Sequence, residues 1–126
     1  MNLSNLELDV MRLIWRDKEV IVPDLHRELE RDRGLSYSTV KTIVDRLEEK
    51  GAIGRIRTYG RTILYGPLVE ESALAKPMIK DMLRRLFGGE ARPMISHLLD
   101  EAELSPDDLK YLEKLIAQKR KDLKEK

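Results

Sequence analysis

Residues 36–66 read SYSTVKTIVDRLEEKGAIGRIRTYGRTILYG, and this stretch decides the predicted fold. Its first half has the apolar spacing of a short helix, and its second half has two β-type runs around Tyr59-Gly60. From Lys50 to Gly66 there are four basic residues and no acidic one. A helix followed at once by a basic hairpin is typical of the winged helix-turn-helix, where the helix enters a DNA groove and the hairpin reaches flanking phosphates. The stretch therefore predicts binding to double-stranded DNA.

The composition of the chain excludes several other classes of protein. The chain has 126 residues, no cysteine and two histidines, which excludes disulfides and cysteine-ligated zinc, and no metal or other cofactor is expected. Net charge is only +1, but residues 36–66 carry six basic and three acidic side chains, so the positive field is local. No apolar run approaches the ~18 residues of a membrane span. The first residues lack the basic start of a signal peptide, so a cytoplasmic protein without membrane insertion is expected.

Local signals place three helices before the hairpin. Ser4 begins a capping-box pattern at the first helix. A β-type run at 20–22 precedes the second helix, which is predicted to have Pro23 in its first turn and to end at Arg33-Gly34. Ser36 is the predicted N-cap of the third helix.

The third predicted helix has one apolar face and one polar face. At 100° per residue, its apolar stripe consists of Val40, Ile43, Val44 and Leu47. Its outward face carries Ser38, Lys41, Thr42 and Asp45. Taken alone, such a polar face is usually solvated surface. Beside a basic hairpin it predicts a surface that contacts DNA.

Base readout is expected from the short polar side chains near the start of this helix. Thr39 and Thr42 can contact base edges or the thymine methyl group, and Lys41 can donate to guanine or phosphate. Phosphates repel Asp45, so it lies beyond the groove, pairs with Arg46, or accepts a hydrogen bond from a cytosine amine. The predicted DNA-binding residues are Ser36, Tyr37, Ser38, Thr39, Lys41, Thr42, Arg46, Arg55, Arg57 and Arg61.

The hairpin is predicted to consist of residues 52–58 and 61–65. Ile53 and Ile63 are expected to face the core, and the three arginines to face outward or lie at the tip. Contact of the arginines with phosphate or the minor groove is the favoured interpretation, and pairing with nearby acids is the alternative. Trp15 is expected in the core.

A second, helical region begins near Pro67. Its apolar pattern predicts helices at 70–87 and 92–100 and another that begins after Ser105. Pro77 is expected to kink or split the first of them. The apolar faces of these helices are too broad for so small a region to bury, which predicts a second copy of the chain as partner. The predicted dimerisation residues are Leu83, Leu98, Leu109, Leu112 and Ile116.

Several segments together resemble the penicillinase-repressor family, the bacterial repressors of BlaI/MecI/CopY type. In chain order they are LSNLELDVMRLIW, SYSTVKTIVDRLEEKGAI, GRTILYGPLV, the FGG helix end and LSPDDLKYLEKLI. The match is collinear from about residue 3 to about residue 120. The resemblance implies a homodimeric winged-helix repressor whose N-terminal domain binds a dyad operator and whose C-terminal helices dimerise.

Two departures from the family pattern bear on regulation. Copper-responsive members carry C-terminal cysteines that bind metal, and this chain has none. Members that respond to β-lactams are cut by a membrane sensor protease at an Asn-Phe bond, where this chain has His97-Leu98. Induction by the same cleavage is therefore not expected, although a membrane sensor protease stays a candidate partner.

No catalytic constellation is present in the sequence: there is no Ser/His/Asp arrangement, no phosphate-cradling glycine loop and no zinc spacing. We therefore expect a protein that is not an enzyme. The expected fold is mainly α, with a winged helix-turn-helix and its small β-hairpin wing in residues 1–66 and a helical dimerisation domain in residues 67–126. The predicted function is sequence-specific transcriptional repression by a homodimer on a dyad operator. The alternatives are a winged helix that contacts other proteins and a transcriptional activator.

Overall fold

The computed structural model describes all residues from Met1 to Lys126 and contains six helices and one two-stranded hairpin. In chain order the elements are α1 (Asn5–Asp17), α2 (Val22–Arg33), α3 (Tyr37–Glu49), β1 (Ile53–Tyr59), β2 (Thr62–Pro67), α4 (Glu71–Phe87), α5 (Ala91–Glu101) and α6 (Pro106–Lys124). The chain divides into two compact units, Met1–Met78 and Ile79–Lys126. The predicted mainly α fold with a small hairpin is confirmed.

Serine side chains cap three of the helices. The Ser4 hydroxyl accepts from the Glu7 N–H at 3.2 Å, while the Glu7 carboxylate accepts from the Ser4 N–H at 2.8 Å. The Ser36 hydroxyl accepts from the Thr39 N–H at 3.2 Å, and Ser105 forms a second capping box at the start of α6. These contacts satisfy backbone donors that a helix start leaves free. The predicted starts of α1, α3 and α6 are therefore confirmed.

The segment before α2 differs from the prediction. The helix begins at Val22, so the β-type run predicted at 20–22 is wrong beyond its first residue. The run shortens to one bridge, in which the Val20 N–H donates to the Tyr65 carbonyl at 2.9 Å and the Tyr65 N–H donates to the Val20 carbonyl at 2.8 Å. Pro23 fixes a helical φ in the first turn of α2, and this outweighs the β preference of Val22.

The core of the Met1–Met78 unit lies among α1, α2, α3 and the hairpin. Its buried side chains are Val10, Met11, Ile14, Val20, Val22, Leu25, Leu29, Val40, Ile43, Val44, Leu47, Ala52, Ile53 and Tyr65. Burial of apolar surface is the main stabilising term, at about 25 cal/mol per Å². Ile63 and Trp15 are half-buried and pack against this core, and the Trp15 indole N–H donates to the Val69 carbonyl at 2.9 Å.

The hairpin is antiparallel, and its register shifts between Arg55 and Arg57. Such a bulge bends the strand and increases its twist. Gly54 lies opposite Gly66 in the ladder. A Cβ atom on Gly66 would lie 2.9 Å from the Lys18 carbonyl oxygen, so the close approach of the loop after α1 requires glycine there.

Helix α4 runs without interruption through Pro77, so of the predicted kink or split, the split does not occur. Proline lacks an N–H, and the helix therefore loses the single backbone bond from residue 77 to the Ala73 carbonyl. The turns on both sides keep their own bonds, which is enough to continue the helix.

No helix in the structure combines the length and the apolar character that a membrane span requires.

No residue of α5 or α6 is buried. The large apolar side chains exposed in the Ile79–Lys126 unit are Ile79, Met82, Leu86, Ile95, Leu98, Leu99, Leu104, Leu109, Tyr111, Leu115, Ile116 and Leu123. Among the predicted dimerisation residues, three are exposed and two, Leu83 and Leu112, are half-buried. An exposed apolar surface of this extent is unusual for a monomer.

Candidate nucleic-acid interface

Hydroxyl groups organise the first turns of α3. The Ser36 hydroxyl, which caps the helix, also donates to the Thr39 hydroxyl at 2.9 Å. The Ser38 hydroxyl oxygen lies 3.2 Å from the Ser36 hydroxyl oxygen. The Thr42 hydroxyl donates to the Ser38 carbonyl at 2.9 Å. Ser36 is therefore a capping residue first, whereas the Thr42 oxygen keeps its lone pairs free to accept a hydrogen bond.

Lys41 and Asp45 form an ion pair on the outward face of α3. Lys41 Nζ lies 2.6 Å from Asp45 Oδ1, and this hydrogen bond raises the pKa of Lys41. Pairing with Arg46, one of the three roles considered for Asp45, does not occur, because the Asp45 carboxylate is held instead by Lys41, one turn earlier on the same helix face. Arg46 is exposed on the same helix.

The two tyrosines of this surface pack through their rings and remain open to solvent. The Tyr37 ring meets His26 edge-on, with centroids 5.4 Å apart, and 46% of Tyr37 stays exposed. Tyr59, at the end of β1, lies under the Arg57 guanidinium, whose carbon is 5.9 Å from the ring centroid. Each ring thus has a packing partner within the protein.

Two of the three hairpin arginines are paired with acids, as the alternative interpretation anticipated. Arg55 Nε donates to Glu48 at 2.8 Å, and this hydrogen bond raises the pKa of Arg55. One terminal nitrogen of Arg57 donates to both oxygens of Glu19, at 3.1 and 2.9 Å. The Arg55–Glu48 contact also fixes the hairpin beside the end of α3.

Arg61 is exposed and forms no ion pair. It lines a cavity of about 140 Å³ together with Tyr37 and Lys41 of α3 and with Tyr65 of β2. The cavity brings together predicted DNA-binding residues from the helix and from the hairpin. The Tyr65 hydroxyl is buried and has no hydrogen-bond partner. No group of three or more His, Asp or Glu side chains lies close enough together to hold a metal ion.

No pattern in the sequence indicates which carboxylates hold the hairpin arginines. Glu19 lies 38 residues before Arg57, and Glu48 lies seven residues before Arg55. No helical or strand spacing connects either pair. Nor does the alternation of side chains in β2 indicate that the buried Tyr65 carries a hydroxyl without a hydrogen-bond partner.

Known proteins resemble this chain over most of its length. The sequence model of the family described as "Penicillinase repressor" matches residues 3–118. The chain belongs to the penicillinase repressor family. The penicillinase repressor of Bacillus licheniformis is 27% identical over 123 residues, which cover 98% of this chain and 95% of that protein.

Two solved structures of the repressor BlaI resemble part of this chain. The first is described as the DNA-binding domain of the repressor BlaI; it is 32% identical, has a TM-score of 0.52, and covers 56% of this chain and 85% of that one. The second is described as the monomeric form of Bacillus licheniformis BlaI in complex with the blaP half-operator. It is 32% identical, has a TM-score of 0.50, and covers 57% of this chain and 87% of that one.

These comparisons confirm the predicted family and the winged-helix fold. The penicillinase repressor family consists of transcriptional repressors and not of enzymes. The chain is therefore a DNA-binding transcriptional repressor.

Proposed function

We propose that this repressor acts in the cytoplasm as a homodimer on a dyad operator, and that it blocks transcription by occupying DNA that the promoter needs. Residues 1–66 would form the DNA-binding domain and residues 67–126 the dimerisation domain. Each subunit places α3 in the major groove and its hairpin against the flanking backbone.

The observation that carries the proposal is the juxtaposition of α3 and the hairpin. Lys41 of α3 and Arg61 of the hairpin line one cavity, and Arg55 contacts Glu48 at the end of α3. A polar helix face and a set of arginines are thus adjacent, as a groove with its flanking phosphates requires. The similar BlaI chain is described in complex with a half-operator, which supports the same use of this surface.

Sequence reading is assigned to Thr39, Lys41 and Thr42. Thr42 is exposed and Lys41 is half-buried with its ammonium group on Asp45, so both have polar atoms on the outward side of α3. Hydroxyl and ammonium groups of this kind can address base edges in the major groove. The hairpin arginines are assigned to phosphates, and this contact positions the helix without reading sequence.

Homodimer formation is assigned to the Ile79–Lys126 unit. Its exposed Leu98, Leu109 and Ile116 remain open to water in a single chain. A matching copy would cover them by a symmetric contact, in which the same patch serves both subunits. Two linked subunits bind two half-sites as an avid pair, and half-sites about one helical turn apart, or a multiple of it, are expected.

The test begins with selection of bound duplexes from a random DNA pool by the full-length protein. Thr42→Ala and Lys41→Ala should each cost about 1–3 kcal/mol on the selected duplex and little on mixed-sequence DNA. Lys114→Ala on α6 is the matched control and should change neither affinity. Equal losses on both duplexes would mean that these residues only position the backbone. If no duplex is enriched, the assignment of sequence reading to α3 is overturned.

A further inference from the structure

Three cations predicted to face DNA are each held by a carboxylate of the same compact unit. The pairs are Lys41–Asp45 at 2.6 Å, Arg55–Glu48 at 2.8 Å and Arg57–Glu19 at 2.9 Å. Among the hairpin arginines, only Arg61 lacks such a partner. The positive charge of this surface is therefore partly neutralised within the free protein.

The two hairpin pairs are products of the fold. Glu48 comes from the end of α3, and Glu19 comes from the loop between α1 and α2. Each carboxylate receives two hydrogen bonds from its arginine, at 2.8 and 3.4 Å for Glu48 and at 3.1 and 2.9 Å for Glu19. The carboxylates thus use the same guanidinium donors that a phosphate would use.

We propose that Glu19 and Glu48 are intramolecular competitors of DNA phosphate, which lower the affinity of the repressor for DNA of any sequence and weaken its salt dependence. This inference rests on the proposed function, because it requires Arg55 and Arg57 to meet phosphates. Binding by these arginines is then an exchange of one anion for another.

The exchange alters the number of ions released on binding. A free arginine that neutralises a phosphate releases a counterion from DNA, and the logarithm of affinity changes with the logarithm of salt by about −0.9 per phosphate. An arginine that must leave a carboxylate exposes a new anion, which gathers cations from solution. The net release of ions per arginine is therefore smaller than the count of phosphate contacts.

The exposure of the pairs sets the size of the effect. The side chains of Arg57 and Glu19 are 50% and 44% exposed, and those of Arg55 and Glu48 are 52% and 29% exposed. Pairs this exposed are weak, and each lowers the affinity of its subunit for DNA by a factor of roughly two to five. DNA can therefore displace either carboxylate, at a small and measurable loss of affinity. In a dimer each pair occurs twice, so one substitution can raise the affinity of the dimer for DNA by up to roughly 25-fold.

The experiment compares Glu19→Gln and Glu48→Gln with the unaltered full-length protein. Binding is followed by fluorescence anisotropy at several salt concentrations, on a mixed-sequence duplex and on the duplex selected from a random pool. Both variants should bind both duplexes roughly two- to five-fold more tightly per subunit at low salt, with a steeper salt slope. Thermal unfolding of each variant checks that the fold is kept.

Glu28→Gln is the matched control. Glu28 holds Arg16 by two hydrogen bonds of 2.8 Å in the same compact unit, but neither residue belongs to α3 or to the hairpin. The control removes the same charge. If Glu28→Gln raised the affinity for DNA as much as Glu19→Gln and Glu48→Gln do, net charge alone would explain the effect and the inference would be overturned. In an Arg57→Ala background, Glu19→Gln should no longer tighten binding.

Two further outcomes are informative. Unchanged or weaker binding by both Glu19→Gln and Glu48→Gln would overturn the inference, and weaker binding would mean that the acids position the arginines for DNA. In that case the unaltered protein would still bind, and the proposed function would stand. Failure of the unaltered protein to bind either duplex would overturn the proposed function and this inference with it.

Discussion

The carboxylate of Glu7 and the ammonium of Lys50 meet at 2.8 Å, and this contact joins the first turn of α1 to the residue that ends α3. Only 5% of the Glu7 side chain is exposed, against 38% of Lys50. Burial raises the pKa of the Glu7 carboxyl, but the hydrogen bonds from Lys50 and Ser4 outweigh burial, and the net pKa lies below its ordinary value of 4.5.

This lowered pKa predicts a loss of stability in acid. The unfolded carboxyl takes up a proton near 4.5, while the folded one resists until lower pH. The contribution of Glu7 is therefore complete above that value and is lost as the pH falls through the folded pKa. Glu7→Gln should lower the free energy of unfolding by about 1–3 kcal/mol at neutral pH. Urea titrations should show this difference shrinking in acid.

Arg61 and Arg57 should differ in their effect on DNA binding. Removal of either arginine should weaken binding to all sequences alike and flatten the salt slope by about 0.9 per lost phosphate contact. Arg61→Ala should produce the larger change, because Arg57 must first leave Glu19 while Arg61 has no such partner. Arg16→Ala is the control away from the hairpin. An unchanged slope for Arg61→Ala would remove Arg61 from the phosphate contacts.

Gly66→Ala should destabilise the Met1–Met78 unit. The added methyl group would collide with Ile56 Cδ1 and lie 2.9 Å from the Lys18 carbonyl oxygen. Relief of such crowding typically costs about 1–3 kcal/mol. Gly54→Ala meets only the Leu68 side chain, at 3.0 to 3.3 Å, so a smaller loss is expected in denaturant titrations. Addition of Ile56→Ala to Gly66→Ala should recover only part of the loss, because the backbone contact remains.

Ile116→Glu should convert the proposed dimer into a monomer. Ile116 is 52% exposed on α6, and a glutamate there would place a charge in the apolar contact between copies. Sedimentation equilibrium should then give the mass of one chain, and binding to a two-half-site duplex should weaken with the loss of avidity. Gln118→Glu adds the same charge on the opposite side of α6 and should stay dimeric. A monomeric unaltered protein at micromolar concentration would reject the assignment.

No cut between His97 and Leu98 is expected when the repressor is induced. The bond lies within α5, and the His97 ring is packed near Phe87, with centroids 5.8 Å apart. A protease pocket that hydrogen-bonds asparagine would leave polar groups unpaired against these side chains, and such mismatches can cost several powers of ten in rate. Immunoblots under inducing stress test this. A stable fragment ending at His97 would contradict it.

The helix boundaries could be predicted because their causes are local. Ser36 caps α3 through a residue three positions away, and Gly34 ends α2 with a φ of 67°, a conformation that glycine adopts without strain. The outcome at Pro77 could not be predicted with the same rules. Whether a proline splits a helix depends on how the adjoining turns are supported, and the sequence does not contain that information.

The site was predictable as a surface and not as a set of contacts. The polar face of α3 and the hairpin arginines follow from periodicity. The partner of Arg57 can be identified only from the fold. Glu19 lies in a loop that the Val20–Tyr65 bridge holds against β2, and this places its carboxylate beside Arg57. From the sequence, only Arg46 is expected as a protein partner of Asp45, and the structure shows Lys41 instead.

Trp15 is the only tryptophan of the chain, and its indole N–H is engaged by the carbonyl of Val69, just past the hairpin. Tryptophan fluorescence from this protein therefore originates at one known position, where the exit of β2 meets α1. A shift of its emission to longer wavelength would signal that this junction has opened to water. The molecule thus carries a built-in optical reporter of this junction, and its opening can be followed without a label.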